Sequence, residues 1–356
     1  PQCSELTEAE LRGRRVYCHV DFNLSFTADG AVADDFRVDA AEETITFLRE
    51  RGAKVVLGSH LKRAKREVSI EPVSAFLAER ISHTFIREYP GDEAAQAIDA
   101  LGEGEVALLE NIRLNPGEVE NDDTYAERLA GLFDVYVNEA FSDAHRPHAS
   151  VVGVARRLPS YAGFRFAREV ERLSEAFDPA RPFLFILGGA KFSTKIPLIE
   201  KFLGRADTVF VGGALANTFF VARGQSVGAS LVDEGEYELA NDLEHEALAL
   251  PSDVVVEGPD GRRRIREVGE VEDGEKIWDA GPRTIELLEK KVTESSFVLW
   301  NGPLGNYEEG YTEATRELAR AIAVFDDFSF VSTGGGAMLD LLANETLPGL
   351  EALKAH

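Results

Sequence analysis

A chain of 356 residues exceeds what one hydrophobic core usually organises, so two domains are expected. Hydrophobic residues at 44% and charged residues at 28% suit a globular protein with two buried cores, which excludes a disordered chain. The formal charge of −25 argues against non-specific nucleic-acid binding and against an anionic membrane surface, so any anionic ligand must meet a local basic patch.

Only Cys3 and Cys18 occur, too few for a disulfide framework and without metal-ligand spacing. No apolar run approaches the roughly 20 residues that span a bilayer, and the start of the chain lacks a basic and apolar leader pattern. The expected location is the cytoplasm.

In chain order, Val16–Val20, Val55–Gly58, Val106–Glu110 and Val135–Asn138 read as buried parallel strands alternating with helices. The first ends in Val20-Asp21-Phe22-Asn23, where period-2 geometry would set Asp21 and Asn23 on one face; alone, such a pair is more often a turn than a ligand grip. Arg37 follows in Asp34-Asp35-Phe36-Arg37. His60, Arg113 and Arg146 stand in segments directly after predicted strands. Ligands of open α/β sheets bind at those carboxyl ends, so the basic side chains are expected to converge on one crevice. Each arginine singly is an ordinary surface residue. Several together, with guanidinium forks that suit carboxylate and phosphate oxygens, favour a small polyanion.

Phe164–Phe177 keeps roughly helical spacing through Phe166, Val170, Leu173 and Phe177 and predicts a connecting helix. The strand rhythm returns with Phe183–Leu187, Thr208–Val211, Asp253–Glu257, Phe297–Trp300 and Phe328–Ser332, with a polar connection and a small hairpin over 258–274. The expected fold is α/β: two doubly wound parallel-sheet, Rossmann-like lobes joined by a connecting helix and hinge. The expected division is 1–163, 164–340, and a tail 341–356 returning to the first lobe.

After the strand at Phe183–Leu187 comes Gly188-Gly189-Ala190-Lys191-Phe192-Ser193-Thr194-Lys195, then an apolar helix. Glycines let backbone approach phosphate, and two Lys four apart would share a helical face. A Gly-Gly turn after a strand is more often structural. Three further Gly-bearing turns, Gly212-Gly213, Asp279-Ala280-Gly281-Pro282 and Asn301-Gly302-Pro303, and the run Gly334-Gly335-Gly336, make a nucleotide site the better reading.

The runs VDFN, GSH, LLENIR, NPGE, VNEAFSDAHRPHAS, ILGGAKFSTKI, VGGALANTFF, DAGPRTIEL, LWNGPLGNYE and VSTGGGAML, from about Leu11 to Leu353, have the order and spacing of phosphoglycerate kinases, and the chain resembles that family. The resemblance implies transfer of a phosphoryl group between 1,3-bisphosphoglycerate and ADP, giving 3-phosphoglycerate and ATP, with Mg²⁺ carried on the nucleotide. It implies that Asp21, Asn23, Arg37, His60, Arg63, Arg113 and Arg146 bind phosphoglycerate, with Arg63 matched when the stretch after His60 is aligned without a gap. Arg37 and Lys191 are the expected catalytic charges, and no metal ligand is assigned. Lys195, Gly212, Gly213, Gly281, Asn301, Glu308, Gly334, Gly335 and Gly336 are the expected nucleotide residues. A monomer that closes about a hinge is implied.

Several positions depart from the family pattern: His19 for Arg, Lys62-Arg63-Ala64 for Gly-Arg-Pro, Thr194 for Asp, and Ser142-Asp143 for Gly-Thr. A strand, a Gly-Gly-Gly-Asp loop and a helix also have no counterpart between Ala321 and Asp326. The flanking residues keep the family pattern, so the expectation is that the natural chain contains this loop. A real deletion would favour a non-catalytic binding protein of the same family. A dehydrogenase is disfavoured because no Gly-x-Gly-x-x-Gly turn follows the first strand.

Overall fold

The computed structural model describes residues 6–8, 10–324 and 330–354. The chain divides into two compact units, residues 1–175 with 332–356, and residues 176–331. In the first unit, β1 (Arg15–His19), β2 (Lys54–Gly58), β5 (Thr84–Ile86), β6 (Val106–Leu109), β7 (Val135–Asn138) and β8 (Ser160–Ala162) form one parallel sheet in the order β5-β6-β2-β1-β7-β8. A two-stranded ribbon, β3 (Lys62–Arg63) and β4 (Arg66–Glu67), lies in the loop after β2. Continuous apolar runs form the central strands because both faces are covered. Val16, Cys18, Val55, Leu57, Val106 and Val137 share one core with Val38, Ile45 and Leu48 of the helix Phe36–Glu50, each such side chain stabilising the fold by about 1.5 to 3 kcal/mol.

Register places the site. His19 pairs with Gly58 on one side and Asn138 on the other, so the loops after β1, β2 and β7 begin side by side. The chain winds outward from β1 in one direction through β2 and β6, then returns to lay β7 on its other side. Such a reversal opens a crevice at the carboxyl ends of the strands. Gly58 is required there, since a Cβ would stand 2.1 Å from the Tyr17 hydroxyl.

In the second unit β9 (Phe183–Leu187), β10 (Thr208–Val211), β11 (Leu248–Ala249) and β15 (Phe297–Asn301) form a parallel sheet ordered β11-β10-β9-β15. β12 (Asp253–Glu257) departs from the expected parallel strand. It is the centre of a separate antiparallel sheet with β13 (Arg263–Glu267) and β14 (Lys276–Ala280). The cause is the polar turn at 258–262, which folds the chain straight back, Gly258 N donating to Arg262 O at 3.1 Å.

The unit boundaries also differ from those expected. The helix Phe164–Ser174 packs in the first unit through Phe166, Val170 and Leu173, and the chain rejoins that unit at Ser332, not at residue 341. The strand expected at Phe328–Ser332 and the step from Ala321 to Asp326 fall partly on 325–329, which lie outside the described residues; Phe330–Ser332 is not strand. Among the described residues no helix is long and apolar enough to cross a membrane.

Candidate active site

In the first unit the strand ends at His19, and Asp21 and Asn23 sit in a turn, Asn23 N donating to Asp21 Oδ1 at 3.1 Å. The turn reading therefore holds for the backbone, yet both side chains point to work. Asn23 Oδ1 accepts from Lys62 N at 2.9 Å and so pins the loop that carries Arg63. Asp21 Oδ2 pairs with Arg37 and accepts from the Ser142 hydroxyl.

Arg37 is the second residue of the helix Phe36–Glu50, and burial pulls its pKa below the usual arginine value. Arg63 lies with its guanidinium carbon 3.6 Å from the Phe26 ring centroid. Its Nε and Nη2 are buried without a hydrogen-bond partner.

Asn111 shapes the approach of Arg113. Its amide nitrogen donates to Leu61 O at 2.8 Å and Val68 O at 2.7 Å, while its Oδ1 accepts from Arg113 N at 2.9 Å. The Arg113 side chain is only 6% exposed and reaches Asp143 Oδ1 at 2.9 Å, as does Arg146 at 3.3 Å. His60 Nδ1 stands 3.2 Å from Asp143 Oδ2. Burial holds the His60 pKa below the usual imidazole value, and the basic surroundings hold Asp143 well below the carboxylate range.

The structure thus gathers His60, Arg113 and Arg146 about one carboxylate and ties Arg37 to Asp21, whose other neighbour Ser142 is next to that carboxylate in the chain. Buried donors of Arg63 and Arg113 face no protein acceptor among the described residues.

In the second unit a cavity of about 800 Å³ is walled by Gly213, Asn217, Phe220, Trp278, Leu304 and Glu308. Gly213 has φ 64 and ψ −159, a conformation that only glycine enters readily. A Cβ there would stand 2.7 Å from Gly189 O, so the two glycine loops meet backbone to backbone.

The apolar helix begins at Ile196, as expected, but Lys191 and Lys195 precede it in a turn and so share no helical face. Lys191 is exposed, whereas Lys195 is buried and donates to Asn301 Oδ1. Gly212 packs against Leu304, and Gly281 caps the helix Pro282–Glu294 hard against Asp253; neither lines the cavity. Among the described residues no group of three His, Cys, Asp or Glu could hold a metal ion.

A family model described as phosphoglycerate kinase matches residues 6–327. A phosphoglycerate kinase of Herpetosiphon aurantiacus is 41% identical over 379 residues, covering 96% of each chain, and one of Picosynechococcus is 38% identical over 389, covering 98% of each. Among solved structures, phosphoglycerate kinase from Coxiella burnetii superposes with TM-score 0.84 at 32% identity over 99% of each chain. The Pyrococcus horikoshii phosphoglycerate kinase gives 0.86 at 29%, over 99% of this chain and 98% of its own. The chain belongs to the phosphoglycerate kinase family.

Membership makes it a nucleotide-binding phosphotransferase of glycolysis with a carboxyl group as acceptor. Nothing in the comparisons favours a non-catalytic member. The alignments extend over more positions than the 356 residues present, so these relatives carry residues without counterpart in this chain.

Gly334, Gly335 and Gly336 belong to the first unit by contacts. Gly334 abuts the Phe141 ring, and Gly336 lies beside His145. Thr333 N donates to the buried Glu169 at 2.7 Å. Sequence reasoning missed Asp233, whose carboxylate accepts from Phe192 N at 3.0 Å and Ser193 N at 3.3 Å and so shapes the lysine loop. It missed Glu139 too, which burial pushes up to about 8 at the edge of the Asp21–Arg37 crevice.

Lys195 carries a testable titration. Burial lowers its pKa to about 8, so below that pH the ammonium is charged and above it neutral. If it meets nucleotide phosphate, ADP affinity should fall by about tenfold between pH 7 and pH 9, since each unit above the pKa removes the charged form tenfold. Calorimetric titration of ADP at both values reads the change, and Lys195→Arg should flatten it. An equally steep profile in that variant would remove Lys195 from the phosphate contacts.

Proposed function

We propose that the basic cluster of the first unit binds 3-phosphoglycerate or 1,3-bisphosphoglycerate and that the cavity of the second binds ATP or ADP. The observation that carries the reading is the set of buried, partnerless guanidinium donors on Arg63 and Arg113, since such groups are costly unless an anion completes them. Asp21 and Asn23 orient the polar end of the ligand, while Arg37, Arg63, Arg113, Arg146 and His60 meet its phosphate and carboxylate oxygens. Lys195, Asn301, Glu308 and the glycine loops receive the nucleotide.

No general base is required. The acceptor is ADP in the forward direction and, in reverse, a carboxylate already ionised at neutral pH. Catalysis is alignment of two anions and neutralisation of charge on the moving phosphoryl group, supplied by Arg37 and Lys191. Transfer is direct, without a phosphoenzyme. Gly334–Gly336, opening the helix Gly336–Asn344, would offer backbone donors to the same group. Mg²⁺ bound with the nucleotide would neutralise charge on its phosphates; among the described residues no group of three His, Cys, Asp or Glu could hold the ion. Closure about a hinge brings the ligands in line and excludes water, which would otherwise hydrolyse the acyl phosphate. The enzyme works as a cytoplasmic monomer.

Turnover with ATP, Mg²⁺ and 3-phosphoglycerate in a coupled assay tests the activity. The KM for 3-phosphoglycerate should rise with added salt, because Arg37 and Arg146 are 36% and 37% exposed and exposed charge is screened over about 8 Å at physiological ionic strength. A salt-independent KM would place the substrate elsewhere.

A further inference from the structure

Asp143 is 2% exposed, yet its carboxylate is the common neighbour of four basic side chains: His19 at the end of β1, His60 after β2, Arg113 after β6, and Arg146 in its own turn after β7. Arg113 Nη2 and Arg146 Nη1 approach Oδ1 at 2.9 and 3.3 Å; His60 Nδ1 and His19 Nε2 approach Oδ2 at 3.2 and 3.7 Å. Asp143 closes the short helical turn Phe141–Asp143 that follows β7, and Arg146 N donates to its carbonyl at 2.9 Å. Carboxylate and guanidinium are therefore held by one rigid turn.

Asp143 is too buried to touch a ligand in solvent. What it does is act on its neighbours. Two guanidinium groups side by side repel, and a side chain as buried as Arg113 is unfavourable without a counter-charge. An arginine already fixed by a carboxylate also loses less freedom when a ligand arrives. We propose that Asp143 is a positioning residue, a buried internal anion that fixes Arg113, Arg146 and His60 in the arrangement that receives the anionic substrate.

Only one Nη of Arg113 is spent on the contact, and its Nε stays without partner. The carboxylate thus orients the guanidinium from beneath and leaves donors for the substrate. His19 completes the arrangement from β1 at 1% exposure, too deep to meet substrate itself.

This inference rests on assigning the first unit's basic cluster to phosphoglycerate, and the experiment separates the two. Asp143→Asn keeps shape and one acceptor but removes the charge. Its KM for 3-phosphoglycerate should rise by about tenfold or more, because a buried ion pair loses one partner, while the KM for ATP stays at the wild-type value and kcat changes less than KM. Competitive inhibition by inorganic sulfate against 3-phosphoglycerate should weaken in parallel. Arg146→Ala should raise the same KM, and combined with Asp143→Asn should add little, since the two act as one unit.

Should Asp143→Asn fail to fold, Asp143→Thr, with a smaller uncharged acceptor, is read the same way. An unchanged or lowered KM for 3-phosphoglycerate in a folded variant overturns the positioning role, as does failure of both variants to fold, which would make Asp143 structural. If Arg146→Ala itself leaves that KM unchanged, the site assignment fails first.

Discussion

Arg37→Ala is expected to lose a few hundredfold in turnover, roughly 3 to 4 kcal/mol of transition-state stabilisation, while binding ADP as the wild type does. Arg37 stands one residue into a helix whose inner face is built from Val38, Ala41, Ile45 and Leu48, so truncation leaves the core untouched. Alanine is also the best helix former. What the variant lacks is the guanidinium held by Asp21, itself steadied by Ser142 and by Asn23 N. Lys195, Asn301, Glu308 and Gly213, proposed to meet the nucleotide, belong to the other unit, which is why affinity for ADP should persist. Single-turnover and steady-state assays read the loss, and calorimetry reads the retained affinity. Arg37→Lys should recover only part of the rate, because an ammonium supplies charge without the fork. Wild-type turnover in purified Arg37→Ala would remove Arg37 from the catalytic charges.

Gly213→Ala is expected to damage the second unit and spare the first. The new methyl group would stand 2.7 Å from Gly189 O and 2.9 Å from Gly189 N. Both are backbone atoms that no rotamer can move aside. The positive φ adds its own penalty, and together the strain and crowding should cost roughly 2 to 4 kcal/mol. Relief must come from spreading the two glycine loops, and with them the wall of the cavity proposed to take the nucleotide. The measurements are a thermal melt and the two Michaelis constants. Melting temperature should fall and KM for ATP should rise, with KM for 3-phosphoglycerate near the wild-type value. An unchanged melt and unchanged KM for ATP would mean that the loops are looser than their packing indicates.

Central strands were legible to within a residue or two because Val55-Val56-Leu57 and Phe183–Leu187 are apolar without interruption, as burial on both faces demands. Thr84–Ile86 and Ser160–Ala162 were not, since three residues at the margin of a sheet carry no period and owe their conformation to the neighbouring strand. Asp253–Glu257 looks like a parallel strand for the same reason that Phe183–Leu187 does; only the partner, chosen by the turn that follows, makes it antiparallel.

The site divides in the same way. His60, Arg113 and Arg146 stood out by their place after predicted strands and Arg37 through the family resemblance, and the register of β1, β2 and β7 brings the loops after those strands together. Asp143 was visible only as a departure from the family pattern. Its role depends on His19, His60 and Arg113 converging from segments distant in the chain, which no local signal encodes. Asp233 shapes the Lys191 loop from 41 residues away. The two lysines misled because spacing by four means a shared face only inside a helix, and here Pro197 and Ile196 start the helix after both.

The chain leaves the first unit at Glu175 and re-enters it at Ser332. Leu341, Leu342, Leu350 and Leu353 of the returning segment are fully buried, and Gly349 N donates to Ala144 O at 2.8 Å, in the turn between Asp143 and Arg146. On the ribosome, therefore, the order of completion inverts the order of synthesis. All of residues 176–331 emerges before the first unit can seal its own core, and the turn that carries Arg146 waits for residues made more than two hundred positions later. A nascent chain halted anywhere in the second unit exposes the apolar surface that this segment covers, a window in which a chaperone has something to hold.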